Sequence, residues 1–134
     1  MRWLVKEEPE NYNFDQFMAD GSTVWSGVRN PVAQKNLRAM HRGDRVFFYH
    51  TGKEKAIVGT ARVAVPAYPD PSEPGGNLVV VELVPDQKLK RPVTLAEIKA
   101  SGKFADFALV RIPRLSVMPV TEQQWTAIEA MSRA

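Results

Sequence analysis

The chain reads as an α+β fold built on a small barrel or a strongly bent sheet, and three observations predict it. Strand candidates are short and interspersed with short helices, without the regular strand–helix alternation of a parallel α/β sheet. The strand at residues 45–50 carries three consecutive aromatics, Phe47, Phe48 and Tyr49, so both of its faces need cover. The helix candidates open on recognisable caps, which fix where the chain changes direction. No internal repeat, low-complexity tract or linker interrupts the pattern, and residues 1–134 are expected to form one domain.

In chain order, residues 2–6 form a short strand. Asn13, followed by Gln16, opens a helix through Phe14, Phe17 and Met18, and Asp20-Gly21 closes it with Gly in the left-handed position. Residues 23–25 are a brief strand. Asn30-Pro31 then starts a helix to about residue 40, because Asn is a good N-cap and Pro loses no hydrogen bond at the first helical position. Ala33, Leu37 and Met40 recur there at helical spacing.

His41-Arg42-Gly43-Asp44 turns the chain into the strand at 45–50. Residues 56–65 form the next strand, with Val58 and Val63 β-branched and Gly59 permitting a bend or a close approach. Residues 66–76 hold Pro66, Pro69, Pro71, Pro74, Gly75 and Gly76 and are expected to be a loop. Residues 78–84 are a β-branched run suited to a central strand. Thr94 and Glu97 form a capping box for a short helix carrying Leu95 and Ile98. Another helical turn is expected at 104–109, packing Phe104, Phe107 and Leu109 inward. Residues 116–120 make a last strand, and Thr121 with Gln124 caps a terminal helix presenting Trp125, Ile128 and Met131.

Composition removes whole classes of function. The chain has no cysteine, which excludes disulfides, thiolate metal sites and cysteine nucleophiles. Its only histidines are His41 and His50, too few for a multi-histidine metal site. The opening Met1-Arg2-Trp3-Leu4-Val5-Lys6 turns acidic without the apolar core of a signal peptide, and no apolar run reaches membrane-span length. A cytoplasmic monomer with no membrane partner is the expectation. P-loop, G-x-S-x-G, H-E-x-x-H and G-x-G-x-x-G patterns are absent, so neither a cofactor nor a catalytic set is expected.

The formal net charge of +3 conceals segregation along the chain. Residues 1–28 carry −3, residues 29–62 carry +6, residues 63–87 carry −4 and residues 88–134 carry +4. Such a layout can build a basic face that attracts polyanions. Lys35, Arg38, Arg42 and Arg45, from the most basic segment, are its candidate phosphate-attracting surface.

The stretch Trp25-Ser26-Gly27-Val28-Arg29-Asn30-Pro31 joins an aromatic, free backbone and a cation to a helix start. Those parts suit a planar, polar ligand, and they equally suit a strand-to-helix turn with a core Trp. Asn30 is both a cap and an amide able to contact a base edge; Arg29 is both an ion-pair partner for an acid and a phosphate or base contact.

Further segments extend the pattern over nearly the whole chain: Trp3-Leu4-Val5-Lys6-Glu7-Glu8-Pro9, Thr23-Val24 ahead of the Trp25 motif, Asn36-Leu37-Arg38-Ala39-Met40, and Gly43-Asp44-Arg45-Val46-Phe47-Phe48-Tyr49-His50. They continue with Ile57-Val58-Gly59, Tyr68-Pro69-Asp70-Pro71, Leu89-Lys90-Arg91-Pro92-Val93 and Leu115-Ser116-Val117-Met118-Pro119-Val120. In this order they resemble the EVE domain, a member of the PUA-like superfamily. The resemblance implies a PUA-like mixed β pseudobarrel flanked by short helices. It also implies a non-catalytic module that reads a modified nucleobase in DNA or RNA, as related YTH, ASCH and SRA-type domains hold a base in a pocket.

The pocket residues this implies are Glu7, Trp25, Gly27, Val28, Arg29, Asn30, Tyr49, His50 and Ser116. Trp25 would stack, the backbone around Gly27 and Val28 would donate, and Tyr49, His50 and Ser116 would complete the walls. The commoner family pattern at the first segment is Lys-Ser-Glu-Pro, whereas this chain reads Lys6-Glu7-Glu8-Pro9. A carboxylate replaces a hydroxyl, so a Glu7 facing the pocket favours a base edge with an N–H donor, such as the cytosine amino group.

Two other readings compete. A base-processing enzyme or nuclease would need an acid–base pair, and Glu7 with Glu8 or Asp70 with His50 are the pairs on offer. Adjacent strand residues such as Glu7 and Glu8 diverge, however. A protein-interaction adaptor would use the proline-rich segment 66–76.

Overall fold

A computed structural model describes residues 1–134. Its elements, in chain order, are β1 (Arg2–Glu7), α1 (Phe14–Asp20), β2 (Thr23–Trp25), α2 (Pro31–Ala39), β3 (Arg45–His50), β4 (Ala56–Pro69), β5 (Val79–Thr94), α3 (Leu95–Ser101), α4 (Ala108–Arg111), β6 (Val117–Val120) and α5 (Glu122–Arg133). The caps act as the sequence demands. Asn13 accepts from the Gln16 N–H, Gly21 closes α1 at φ 76°, and Thr94/Glu97 and Thr121/Gln124 form complete capping boxes.

One six-stranded sheet runs in the order β2-β5-β4-β3-β1-β6. All its pairings are antiparallel except that of β1 with β3. The register of β4 on β5 shifts at four places, and each shift adds twist, so these long strands curl into a pseudobarrel. Helix α2 closes the curl, packing on β6 at one edge of the sheet and on β4 and β5 toward the other. Asn36 Nδ2 donates to the Val117 carbonyl at 2.7 Å. The buried Gln34 amide donates to the Val79 carbonyl at 3.1 Å and accepts from the Val79 N–H at 2.9 Å. Gln34 thereby stands in for one residue of a neighbouring strand.

Side-chain alternation sorts the core into two layers. Inside the curl, Phe48 meets Phe14 edge-on at 5.2 Å and Trp25 edge-on at 5.5 Å, and stacks on Phe17 at 5.5 Å. Gly59, the register partner of Phe48, is where α1 enters: the nearest Phe14 ring carbon lies 2.3 Å from where a Cβ would stand. On the outer face Phe47 stacks on Trp125 of α5 at 3.6 Å, and the Arg45 guanidinium lies 4.8 Å from the same indole. Both layers belong to one cluster of 31 buried apolar residues running from Trp3 to Ile128.

The structure corrects several boundaries. β4 continues through Pro69 and β5 through Thr94, so the loop is residues 70–78 rather than 66–76. Pro66 falls inside the register shift between Val65 and Tyr68, and Pro85 pairs with Ala61 at another, so neither interrupts a regular ladder. The helical turn expected at 104–109 begins at Ala108, with Phe107 at its N-cap, although Phe104, Phe107 and Leu109 are buried as their apolar character requires. β6 starts at Val117, leaving Ser116 just ahead of it.

Asp44 anchors the turn into β3. It accepts from Trp3 Nε1 at 2.9 Å, from the His41 N–H at 2.9 Å and from the N-terminal ammonium at 3.1 Å. Burial pushes its carboxyl pKa up, but these donors outweigh burial and hold it below the ordinary aspartate value. A depressed folded-state pKa means that the stabilisation is complete above the unfolded-state value and is lost as pH falls below about 4. Asp44→Asn should therefore flatten the acid limb of a stability-versus-pH curve measured by chemical denaturation. Gly59→Ala should cost about 1–3 kcal/mol in the same assay, because the Phe14 ring has no room to retreat within the aromatic layer.

Candidate nucleic-acid interface

The parallel register of β1 on β3 decides which candidate residues meet. Val5 pairs with Phe48, Lys6 with Tyr49 and Glu7 with His50. Glu7 and His50 therefore share the inner face with Phe48 and Trp25, whereas Lys6 and Tyr49 share the outer one. Neighbours in one strand, Tyr49 and His50 do not wall a single pocket. Ser116 adjoins the same strand end, its carbonyl accepting the Lys6 N–H at 2.9 Å.

Glu7 is half-buried, and Oε1 accepts the Glu8 N–H at 3.0 Å. Its carboxyl pKa lies above the ordinary glutamate value. Burial is the main cause and the Glu8 charge adds to it, while hydrogen bonds from the Glu8 N–H and the Asn11 side chain oppose it. His50 serves the fold. Its Nε2 accepts the Phe14 N–H at 3.1 Å, which places the proton of the neutral ring on Nδ1, 3.0 Å from Glu54 Oε2. That backbone donor opens α1 and has no partner within the helix.

Trp25 is 5% exposed and packs against Phe48, which in turn meets His50 edge-on at 5.6 Å. After Trp25 the chain leaves β5. The N–H groups of residues 26–30 donate to no other protein group, a row of free donors. Gly27 sustains this path at φ 76°, where a side chain would be strained although space for it is open. Val28 is half-buried against the core, its carbonyl accepting from Gln34 Nε2 at 2.7 Å. Asn30 caps α2, Oδ1 accepting from the Val32 and Ala33 N–H groups at 2.9 and 3.0 Å, which leaves its exposed Nδ2 free to donate. Arg29 pairs with Glu73 of the 70–78 loop at 2.6 Å and is 74% exposed. Its ion-pair partner is thus an acid of that loop.

Of the basic residues, Lys35, Arg38 and Arg42 are exposed, and Arg38 donates to the Asn77 carbonyl. Arg45 is set apart. It is partly buried on the outer face between Asp86 and Glu129, at 3.7 and 3.6 Å, and lies over Trp125. Cavities of about 200 to 450 Å³ open elsewhere on the surface, and Trp25, Asn30 and Ser116 do not converge on any of them. No group of three or more His, Asp or Glu side chains is placed to hold a metal ion, and no helix is long and apolar enough to cross a membrane.

The sequence offered no sign of the Gln34 bridge, which holds the Val28 and Val79 segments, or of the His50 bond that holds the start of α1. Each joins distant segments, and neither has a local pattern that could have revealed it.

Comparison with known proteins places this geometry in a family. The model of the EVE domain matches residues 1–131. Human thymocyte nuclear protein 1 is 30% identical over 92% of this chain and 70% of its own length; the chicken protein is 31% identical over 92% and 65%. Among solved structures, a Rhodopseudomonas palustris protein superposes with a TM-score of 0.94 at 46% identity, covering 98% of this chain and 92% of that one. The human THYN1 protein, crystallised in complex with 5-methylcytosine-containing DNA, superposes with a TM-score of 0.88 at 28% identity, covering 99% and 98%. An ASCH protein from Zymomonas mobilis, at 14% identity and a TM-score of 0.59, shares the fold alone. The curled mixed sheet, the free backbone after Trp25 and the matched segments have one consistent explanation: this chain belongs to the EVE domain family.

Proposed function

We propose that this protein, as a single domain, binds DNA or RNA carrying a modified base, with 5-methylcytosine the first candidate, and does not turn it over. The observation that carries the reading is the similarity to the human THYN1 protein crystallised with 5-methylcytosine-containing DNA. The chain's own residues supply matching chemistry. An extracted base needs a face to rest on and partners for its edge. Trp25, 5% exposed and held in place by Phe48, stands behind that face. The free N–H groups of residues 26–30 and the Asn30 Nδ2 supply donors, and Glu7 on the same inner face supplies an acceptor for the cytosine amino group.

Arg29 fits a backbone contact. An exposed ion pair such as that with Glu73 is worth only about 0–1 kcal/mol, so a phosphate can replace the carboxylate at little cost. Lys35, Arg38 and Arg42 add long-range attraction, and Arg45 is engaged elsewhere. Such a partner places the protein in the compartment that holds the polymer, the cytoplasm in a cell without a nucleus.

Fluorescence anisotropy with methylated, otherwise modified and unmodified oligonucleotides, in DNA and RNA versions, tests the reading. Affinity should fall with salt, prefer the modified base and leave the oligonucleotide intact. Trp25→Phe, which keeps an aromatic in the core, should reduce that preference. Glu7→Gln should weaken cytosine binding about tenfold, within the range of about 1–3 kcal/mol for a base-edge contact. Protonation removes an acceptor site from Glu7, and its pKa is raised. Affinity for the cytosine base should therefore decline on acidification at a higher pH than an ordinary glutamate would give, and Glu7→Gln should abolish that decline. Equal affinity for modified and unmodified strands throughout would sink the proposal.

A further inference from the structure

The outer face of the same strand ends carries a second feature. Lys6, Tyr49, Lys55, Leu95, Lys99 and Leu109 line a cavity of about 270 Å³. Lys55, Leu95 and Lys99 also line an adjoining cleft of about 410 Å³, so the two form one basic depression. Three ammonium groups border the cavity, and none is ion-paired. The acids nearby are engaged, Glu54 with His50 and Glu8 with the Thr51 hydroxyl.

Lys6 Nζ donates to the Pro113 carbonyl at 2.8 Å and lies 5.6 Å from the Tyr49 ring centroid. Burial lowers its pKa, as expected for a charge partly withdrawn from water without a counter-ion. Tyr49 is 3% exposed, yet its hydroxyl makes no hydrogen bond to the protein, unlike those of Tyr12 and Tyr68. Burial pushes that hydroxyl up to about 12, so it stays a donor at neutral pH. Lys55 is the one non-glycine residue with positive φ, at 46°, and its carbonyl accepts the Leu95 N–H at 2.7 Å. Conformations of that kind cluster at binding sites.

We propose that this depression binds a phosphate group, with Lys6, Lys55 and Lys99 around its charge and the Tyr49 hydroxyl donating to one oxygen. Ammonium groups suit phosphate as point charges, and Leu95 with Leu109 offers an apolar side to whatever is esterified to it. Two sources share this chemistry. A polynucleotide backbone passing over the strand ends is one, and that source rests on the base-binding reading above. A free phosphate ester is the other and does not.

Titration of the full chain with sodium phosphate, at constant ionic strength, should saturably shift the amide signals of Thr51, Gly52, Lys55 and Leu95 in nitrogen–proton correlation spectra. Lys55→Gln combined with Lys99→Gln should weaken phosphate binding about tenfold, since two charge-assisted contacts are lost. Tyr49→Phe, which removes only the hydroxyl, should weaken it about threefold. The same spectra report whether each variant is folded.

Oligonucleotide binding then separates the sources. A backbone phosphate predicts that the log–log salt slope of the double variant falls by up to about 1, the share of a single phosphate contact, while its base preference is unchanged. A free ester predicts an unchanged slope with phosphate affinity alone reduced. Loss of base preference in the unmodified protein, with phosphate binding intact, would remove the base-binding reading and leave this site standing. The absence of a saturable phosphate shift, or one unaffected in the double variant, overturns the proposal.

Discussion

The parallel pairing of β1 with β3 is the constraint on which the rest of the molecule depends. Both strands are central, so their side chains must satisfy two cores at once, and the alternation of a strand leaves no freedom in the assignment. Val5 and Phe48 are thereby committed to the aromatic interior, and Leu4 and Phe47 to the layer beneath α5. Once those four residues are fixed, the polar residues that finish the strands follow. Glu7 and His50 emerge inside, Lys6 and Tyr49 outside. A slip of β1 by one residue toward its start would bring Lys6 to the place of Val5 in the aromatic interior and send Glu7 to the outer face, which is why the register is secure.

Closure of the sheet depends on side chains rather than on a further strand. α2 reaches one edge through Asn36 and β5 through Gln34, whose amide satisfies both the N–H and the carbonyl of Val79. The same Gln34 Nε2 holds the Val28 carbonyl. Closure and the path of residues 26–30 are therefore coupled through one buried amide. Left unsatisfied, each backbone group it serves would carry a desolvation cost of about 1–3 kcal/mol. The free donors that follow Trp25 are the consequence. The chain has left the β5 ladder and has not yet entered α2, and Gly27 lets it travel that distance without forming a turn of its own.

Much of this was legible in the sequence because the signals are local. Asn13, Asn30, Thr94 and Thr121 mark helix starts through hydrogen bonds that span two or three residues, and α1, α2, α3 and α5 begin there. The lengths of β4 and β5 were not legible. Pro66 and Pro69 read as breakers, yet Pro66 falls in a register shift, where the ladder needs no N–H, and Pro69 is the last residue of β4. The roles of single residues were legible only in part. Asn30 shows its cap in its neighbours, but the partner of Arg29 proved to be Glu73, and His50 proved to serve Phe14. Such partners lie tens of residues away and leave no mark on spacing.

The divergence of Glu7 and Lys6 also bears on how such a domain can change its preference. A polyanion approaching the ends of β1 and β3 meets a carboxylate on one face and unpaired ammonium groups on the other. The barrier between these two faces is packed core, built around Phe47 and Phe48, which neither residue can cross. Exchange of Ser for Glu at position 7 then changes the edge presented on the inner face and leaves the side chains of the outer face in place. Under the two proposals above, binding strength and base choice fall on opposite sides of the same two strands, where substitution can act on each alone.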